Sequence, residues 1–146
     1  MGSYGKKVGT YFTWHGADDF DLITPDFATD LVEIRPQNNV ERSGSFEETM
    51  LYLDHMGKDY YHVNTYAVYS GGDFRLQIIK NNLNPNGPKV LLLRNSSSCV
   101  ISPFLALQVG QLHVVDDRAG TYPSGEKVDI EDYIQNEDFD YVIEIK

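Results

Sequence analysis

The chain has little of three things, and each shortage excludes a class of protein. Its single cysteine, Cys99, permits neither an internal disulfide nor a cysteine-rich metal site. No apolar run approaches the roughly 18 residues that a membrane-spanning helix needs, and no apolar signal-peptide core follows Met1. Basic residues are scarce, with 12 Lys and Arg against 22 Asp and Glu, which gives a formal net charge of −10. That charge argues against nucleic acid as a partner and against binding to an anionic membrane surface.

What the chain does contain is enough apolar material for one folded domain. Its 146 residues are 41% hydrophobic, which suits a single domain with a core of its own. Cys99 lies in an apolar segment and is expected to be a buried, inert thiol. Asp18, Asp19 and Asp21 lack the spacing and the glycine of a calcium loop. We therefore expect no metal and no cofactor.

The clearest pattern covers residues 89–146, where strand and helix signals alternate. In order, they are an apolar strand (89–94), a helix (about 98–109), a strand (112–116), an amphipathic helix (128–135) and a strand (141–145). Pro103 suits the first turn of the first helix, and Gly110 suits its C-cap. This alternation predicts a right-handed parallel βαβαβ unit and an α/β fold class.

The first 88 residues are richer in β-strand signals and less regular. Strands are predicted for residues 8–14, 30–35 and 74–80, and an exposed loop is predicted for 37–44. A short helix over 45–53 would begin with Ser45 as N-cap and Glu48 completing a capping box. This part either packs on the parallel unit as an extension or completes its sheet with antiparallel strands.

Ser96 is the first candidate for chemistry, because it directly follows the strand 89–94. The carboxyl end of a parallel strand is where α/β folds place their ligands. A serine at a strand-to-helix turn can lie near backbone N–H groups that favour an oxyanion. The other interpretation is that Ser96, Ser97 and Ser98 cap the helix that follows, and the spacing alone favours this capping role.

A nucleophilic serine needs a base, and the chain has four histidines: His15, His55, His62 and His113. None belongs to an Asp-x-x-His arrangement that would bring a carboxylate and an imidazole to one site. His55, which follows Asp54, is the best placed of the four as a catalytic base. For each of them a structural role is the more common alternative.

Two stretches upstream of Ser96 could serve a ligand. The turn Ser70-Gly71-Gly72-Asp73 could present backbone N–H groups to an oxyanion, or it could be an ordinary turn. The aromatic residues around Tyr66 and Tyr69 could stack on sugar rings, or they could simply pack in the core.

Four stretches, taken together and in order, resemble the C-terminal part of the DHHW family. They are Tyr66-Ala-Val-Tyr-Ser-Gly71-Gly72-Asp73, Arg94-Asn95-Ser96, Pro103-Phe104-Leu105 and Asp116-Asp117-Arg118. The family's equivalents typically read Tyr-x-x-Phe-x-Gly-Gly-Asn, Lys-Asp-Ser, Pro-Phe-Leu and Asp-Leu-Arg. Members are bacterial secreted or membrane-anchored proteins related to the SGNH hydrolases and the alginate O-acetyltransferases.

The resemblance implies a role for several residues. Ser96 stands at the nucleophile position, and Gly72 with Asp73 stands in a stretch that supplies oxyanion contacts. Asn95 and Asp73 depart from the family, which has aspartate and asparagine there. The Asp-His-His-Trp motif, which resembles the family's base and orienting acid, has no match in this chain. The resemblance therefore implies an incomplete catalytic set.

The implied architecture is one SGNH/DHHW-like domain that forms part of a longer protein. Residues 1–88 would be the β-rich part, and residues 89–146 would form a three-layer, flavodoxin-like parallel sheet unit. The implied activity is acyl ester hydrolysis or O-acyl transfer on a polysaccharide outside the cell or at its surface, weak or absent in this chain. The alternatives are a non-catalytic glycan-binding or protein-interaction module using Tyr66 and Tyr69, and a fragment whose core is completed in a homodimer.

Overall fold

A six-stranded mixed sheet runs through residues 20–57, 64–116 and 128–145, which are the residues that the computed structural model describes. The strands are β1 (Leu31–Arg35), β2 (Val40–Gly44), β3 (Leu76–Asn81), β4 (Lys89–Leu93), β5 (Gln111–Val115) and β6 (Tyr141–Glu144). Their order across the sheet is β2-β1-β3-β5-β4-β6. The α/β class expected from the sequence is confirmed. The predicted strand over 8–14, together with His15 and His62, lies outside the described residues.

Three of the strands form the parallel part of the sheet. β4 pairs in parallel with β5 on one side and with β6 on the other. Its three central residues are buried, which is why this strand is a continuous apolar run instead of an alternating one. The three strands match the strand positions that the alternation over 89–146 predicted, to within one residue at each end.

The connection from β4 to β5 differs from the predicted single helix. A 3₁₀ helix (Ser96–Val100) comes first, and α2 (Ser102–Ala106) follows, with Pro103 in its first turn as predicted. The expected C-cap role of Gly110 is wrong, because α2 ends four residues earlier. A Cβ on Gly110 would lie 2.5 Å from the carbonyl oxygen of Gly87, so this glycine is needed for close backbone approach.

The N-terminal part completes the sheet with antiparallel strands. β1 pairs with β2 and with β3, and β3 pairs with β5, all antiparallel. The predicted loop over 37–44 is therefore wrong in its second half, which forms the edge strand β2. Glu41, Arg42 and Ser43 made this strand look like a loop, although charged residues are common on edge strands.

The central strands of the described sheet are covered by apolar side chains on both faces. On one face, α1 (Phe46–Met50) and α2 pack over a core cluster that includes Val90 and Leu92. On the other face, α3 (Ile130–Asn136) and the residues around it pack over Leu91 and Leu93. α1 has the predicted capping box, in which the Glu48 N–H donates to Ser45 Oγ at 3.3 Å and the Ser45 N–H donates to Glu48 Oε2 at 2.8 Å. In the part of the chain described, no helix has the length and apolar character needed to cross a bilayer.

Candidate functional site

Ser96 lies at the carboxyl end of β4, the strand that has parallel neighbours on both sides. The Arg94 N–H donates to the Val115 carbonyl at 2.9 Å, so the ladder continues one residue past β4 before the chain turns away. Asn95 follows, and Ser96 opens the 3₁₀ helix Ser96–Val100 with an exposed side chain. The serine is thus exposed at the sheet edge where α/β folds bind their ligands.

A buried polar cluster occupies the same edge of the sheet. Its members are at most 7% exposed, and they are Glu33, Arg35, Arg75, Gln77, Arg94 and Asp116. β1 and β5 end at this edge and β3 begins there, because β3 is antiparallel to both. Charged residues are rarely buried unless they are paired, so such a cluster needs a physical reason. No local pattern in the sequence predicted this cluster.

Glu33 is the centre of this cluster and is fully buried. Its Oε1 accepts hydrogen bonds from Arg35 Nε at 2.8 Å, from Arg35 Nη2 at 2.5 Å and from Gln77 Nε2. Its Oε2 accepts from the Tyr52 hydroxyl at 2.7 Å. Burial and the hydrogen bond to Glu33 raise the pKa of Tyr52, so the phenol stays a donor at neutral pH. These donors offset the cost of removing the carboxylate from water.

Two arginines of the cluster reach the turn 70–73. Arg35 Nη2 donates to the Ser70 carbonyl, and Arg94 Nη2 donates to the Gly72 carbonyl at 3.2 Å. Both guanidinium groups lie over the ring of Phe74, at 4.6 Å for Arg35 and 4.2 Å for Arg94 from the ring centroid. Ser70, Gly71 and Gly72 have φ values of 59°, 64° and 95°, a conformation that glycine favours. Two charged donors of the buried cluster therefore bind carbonyl groups of the turn.

Arg94 also links this turn to Ser96. It stands two residues before the serine, and its Nη2 lies 3.9 Å from Asp73 Oδ1. The segment before the turn touches the same helix, since Cys99 Sγ lies 3.7 Å from the Tyr66 carbonyl oxygen. Cys99 is buried as predicted, and burial raises the pKa of its thiol. The structure thus gathers Asn95, Ser96 and the turn 70–73 at one end of the sheet.

Of the histidines, His55 and His113 lie in the described residues, and neither is hydrogen-bonded to Ser96 there. His55 ends the 3₁₀ helix Leu53–His55, which packs against the 3₁₀ helix Thr65–Val68. His113 lies on the face covered by α3, where Nδ1 is 2.6 Å from the Tyr133 hydroxyl. Burial lowers the pKa of His113 to about 4 and raises that of Tyr133 to about 12. The role of His55 as base stays a prediction.

The two tyrosines named for glycan stacking have different surroundings. Tyr66 is 53% exposed and contacts Phe20 edge to face at 5.3 Å between ring centroids. Tyr69 is 3% exposed, packs against Phe104, and exchanges hydrogen bonds with the backbone of Ile23. The ring of Tyr69 thus presents no face to a sugar, and stacking would depend on Tyr66.

The described fold is similar to parts of several solved structures. It superposes on PatB1 from Bacillus cereus with a TM-score of 0.57 and 21% identity, covering 88% of this chain and 44% of that one. The structure of PatB1 with a sulfonyl adduct gives a TM-score of 0.55 and 21% identity, covering 83% of this chain and 39% of that one. A DHHW family protein from Eubacterium siraeum gives a TM-score of 0.57 and 15% identity, covering 82% of this chain and 35% of that one.

These likenesses establish a PatB/DHHW-like α/β fold, in agreement with the α/β class and the family likeness expected from the sequence. The chain spans less than half the length of each of these three structures. No family model matches the sequence, and no curated protein matches it significantly.

Proposed function

We propose that this chain is an SGNH/DHHW-like domain whose chemistry is acyl ester hydrolysis or O-acyl transfer on a bacterial cell-surface polysaccharide, with Ser96 as the nucleophile. The observation that carries the proposal is the exposed serine at the end of β4, at the same end of the sheet as a Gly-Gly turn to which two buried arginines donate. Support also comes from the fold, since one similar structure carries a sulfonyl adduct, the product expected when a nucleophilic side chain meets a sulfonyl electrophile.

The proposed architecture follows from the same likeness. The sheet with apolar clusters on both faces suits the three layers of an SGNH hydrolase. The chain would be a single domain of a longer protein, in keeping with the length of the similar structures.

In the proposed reaction, the Ser96 hydroxyl attacks the carbonyl carbon of an acyl ester and forms a bond to it. Its proton passes to a base, for which His55 is the candidate in the described chain. The carbonyl oxygen becomes an oxyanion beside the turn 70–73, and the ester's alcohol leaves with a proton. Water or a sugar hydroxyl then releases the acyl group from Ser96.

Asp73 works against this reaction, and Arg94 reduces its effect. A carboxylate near a developing oxyanion raises the barrier, and losing one oxyanion donor typically costs about 2.7–4 kcal/mol. The Arg94 guanidinium, buried and 3.9 Å from Asp73 Oδ1, offsets part of that negative charge. With Asn95 in place of the family's aspartate as well, we propose a slow reaction.

A serine-directed reagent tests the proposal directly. We expect a fluorophosphonate or sulfonyl fluoride probe to form one adduct per chain, located on Ser96 by peptide mass spectrometry. Ser96→Ala should abolish the adduct. Ser43→Ala is the matched control, since Ser43 is also exposed but lies on the edge strand β2, and it should label like the unmodified chain. Absence of label on Ser96, together with no hydrolysis of p-nitrophenyl acetate, would contradict an active nucleophile.

A second candidate function is glycan binding without chemistry, and the exposed ring of Tyr66 favours it. We expect Tyr66→Ala to weaken binding of cell-wall polysaccharide, measured by titration calorimetry. Tyr141→Ala is the control, because Tyr141 is similarly exposed at 62% but lies on β6. Equal binding by the two variants would rule out stacking on Tyr66.

A further inference from the structure

The edge strand β6 is the most exposed strand of the described sheet. It is the last strand in the order β2-β1-β3-β5-β4-β6, and in the described part of the chain it pairs with β4 alone. All four of its residues are exposed. A strand that is paired on one side only presents a row of N–H and C=O groups on its other side, and such a row is a template for a further strand. β6 therefore has the backbone geometry that strand addition requires.

The side chains of β6 are largely apolar although they are exposed. Tyr141, Val142 and Ile143 follow one another in the strand and are 62%, 48% and 39% exposed. Val142 and Ile143 are aligned with Leu91 and Leu92 of β4, which are fully buried. Burial within the described domain thus explains the apolar run of β4 and does not explain that of β6.

The opposite edge of the sheet is built differently. β2 carries the charged residues Glu41 and Arg42, and charged side chains commonly protect an edge strand against pairing with another chain. The three residues from Tyr141 to Ile143 carry no charge. Because side chains alternate between the two faces of a sheet, Val142 lies on one face and its two neighbours lie on the other. An added strand would therefore meet apolar side chains on both faces of this edge.

The charge around β6 is negative and narrows the choice of partner. Residues 128–145, which contain α3 and β6, include seven Asp and Glu and no Lys, Arg or His. Asp140 and Glu144 flank the apolar run and are exposed, and the cation of Lys89 on β4 is paired with Glu137. Two copies of β6 paired with each other would bring these like charges together, on chains that each have a net charge of −10. Charge complementarity therefore favours a strand that carries Lys or Arg over a second copy of this chain.

We infer that β6 is a docking edge for an extended basic segment of another protein, which adds to the sheet as a further strand. In this mode of recognition, main-chain hydrogen bonds supply affinity and alternate side chains supply specificity. Apolar side chains of the segment would pack on Val142 and Ile143, and its Lys or Arg side chains would face Asp140 and Glu144. The inference does not depend on the proposed reaction.

A titration of the uniformly ¹⁵N-labelled full chain with the synthetic peptide acetyl-Lys-Val-Arg-Ile-Lys-Val-Arg-amide, at physiological ionic strength, tests this inference. We expect saturable shifts of the amide signals of residues 141–145 and no such shifts in β2. An analogue with Glu at every basic position should not bind. Two further analogues, N-methylated at the apolar or at the basic residues, keep the charges and each lose one row of N–H groups. Their affinities should differ at least about tenfold, because only one row faces β6.

Two substitutions of valine locate the docking edge. Val142→Lys places a cation in β6 and should weaken binding of the fluorescently labelled peptide at least about tenfold, measured by anisotropy. Val40→Lys is the matched control, since it adds the same charge to the other edge strand, β2, beyond the range of the screened charge, and should change the affinity less than about twofold. If Val142→Lys does not fold, Ile143→Thr decides: weaker binding supports the inference, and unchanged binding contradicts it.

Three results would overturn the inference. One is a well-dispersed spectrum without a saturable response in residues 141–145 at peptide concentrations up to about 1 mM. Another is equal affinity for the two N-methylated analogues, which would leave charge alone as the cause of binding. The third is a concentration-dependent dimer in sedimentation velocity that Val142→Lys dissociates, because a second copy would then occupy β6.

Discussion

Replacement of Glu33 by glutamine should be among the most damaging conservative changes in this chain. The side chain keeps its shape but loses its charge, and it turns an acceptor-only carboxylate into a group with an NH₂ donor. That NH₂ would face the donors Arg35 and Gln77 on one side or the Tyr52 hydroxyl on the other. Whichever way the amide is turned, at least one buried donor is left opposite another donor.

The magnitude follows from the burial of the pair. The side chains of Arg35 and Glu33 are 7% and 0% exposed, so Glu33→Gln leaves a guanidinium in the interior without its counter-charge. Breaking a buried ion pair by removing one partner costs about 3–5 kcal/mol. A domain of this size is stable by about 5–15 kcal/mol, so the variant should lose a large share of its free energy of unfolding.

Urea unfolding followed by circular dichroism measures this loss as a shift of the midpoint at constant slope. Glu41→Gln is the control, because Glu41 is exposed on the neighbouring strand β2 and should change stability by less than about 0.5 kcal/mol. Adding Arg35→Met to Glu33→Gln should recover part of the loss, because the double variant holds no buried guanidinium without its counter-charge, whereas the Tyr52 and Gln77 donors still face the new amide. A loss below about 1 kcal/mol for Glu33→Gln would refute the reasoning.

Three further predictions concern stability. The pKa of His113 is about 4 in the folded chain and about 6.5 when unfolded, so its contribution to stability is complete above pH 6.5 and is lost as the pH falls towards 4. We expect the free energy of unfolding to fall by about 3 kcal/mol over this range in urea titrations at several pH values, and His113→Gln should abolish this pH dependence. Gly71→Ala should cost roughly 2–3 kcal/mol in urea unfolding, because φ is 64° and the new Cβ would lie 2.9 Å from the Tyr52 ring; an unchanged midpoint would contradict this. Ser70→Gly should stabilise by about 1 kcal/mol in the same assay, because it relieves a positive φ and removes a buried hydroxyl that lacks a partner in the described residues; a loss would contradict this.

The elements that the sequence predicted well depend on local signals. Ser45 and Glu48 lie three residues apart and form their capping box within one turn of helix. The apolar run of β4 needs only its own composition to be recognised as a buried parallel strand. The helix over 98–109 was less accurate, because Pro103 opens a new helix after a 3₁₀ segment and the continuous apolar character hides that break.

The buried polar cluster could not be predicted, because its stabilising partners are remote in sequence. From Val32 to Arg35, apolar and polar side chains alternate, and the usual interpretation of such a strand directs Glu33 and Arg35 to solvent. The structure does the reverse, with Leu31, Glu33 and Arg35 as the buried set of β1. The direction is decided by donors and acceptors from other segments, above all Tyr52, Ser70 and Gln77. A strand pattern contains no information about those distant groups.

The same dependence on remote partners changes the meaning of Asp73 at the candidate site. Judged from its own position, an aspartate in place of asparagine removes a donor and adds a charge that repels an oxyanion. The structure sets the Arg94 guanidinium 3.9 Å from that charge, which offsets part of it, and Arg35 donates to the Ser70 carbonyl of the same turn. The aspartate at position 73 therefore adds less negative charge to the candidate site than the motif alone implies, because a buried arginine from another segment lies beside it.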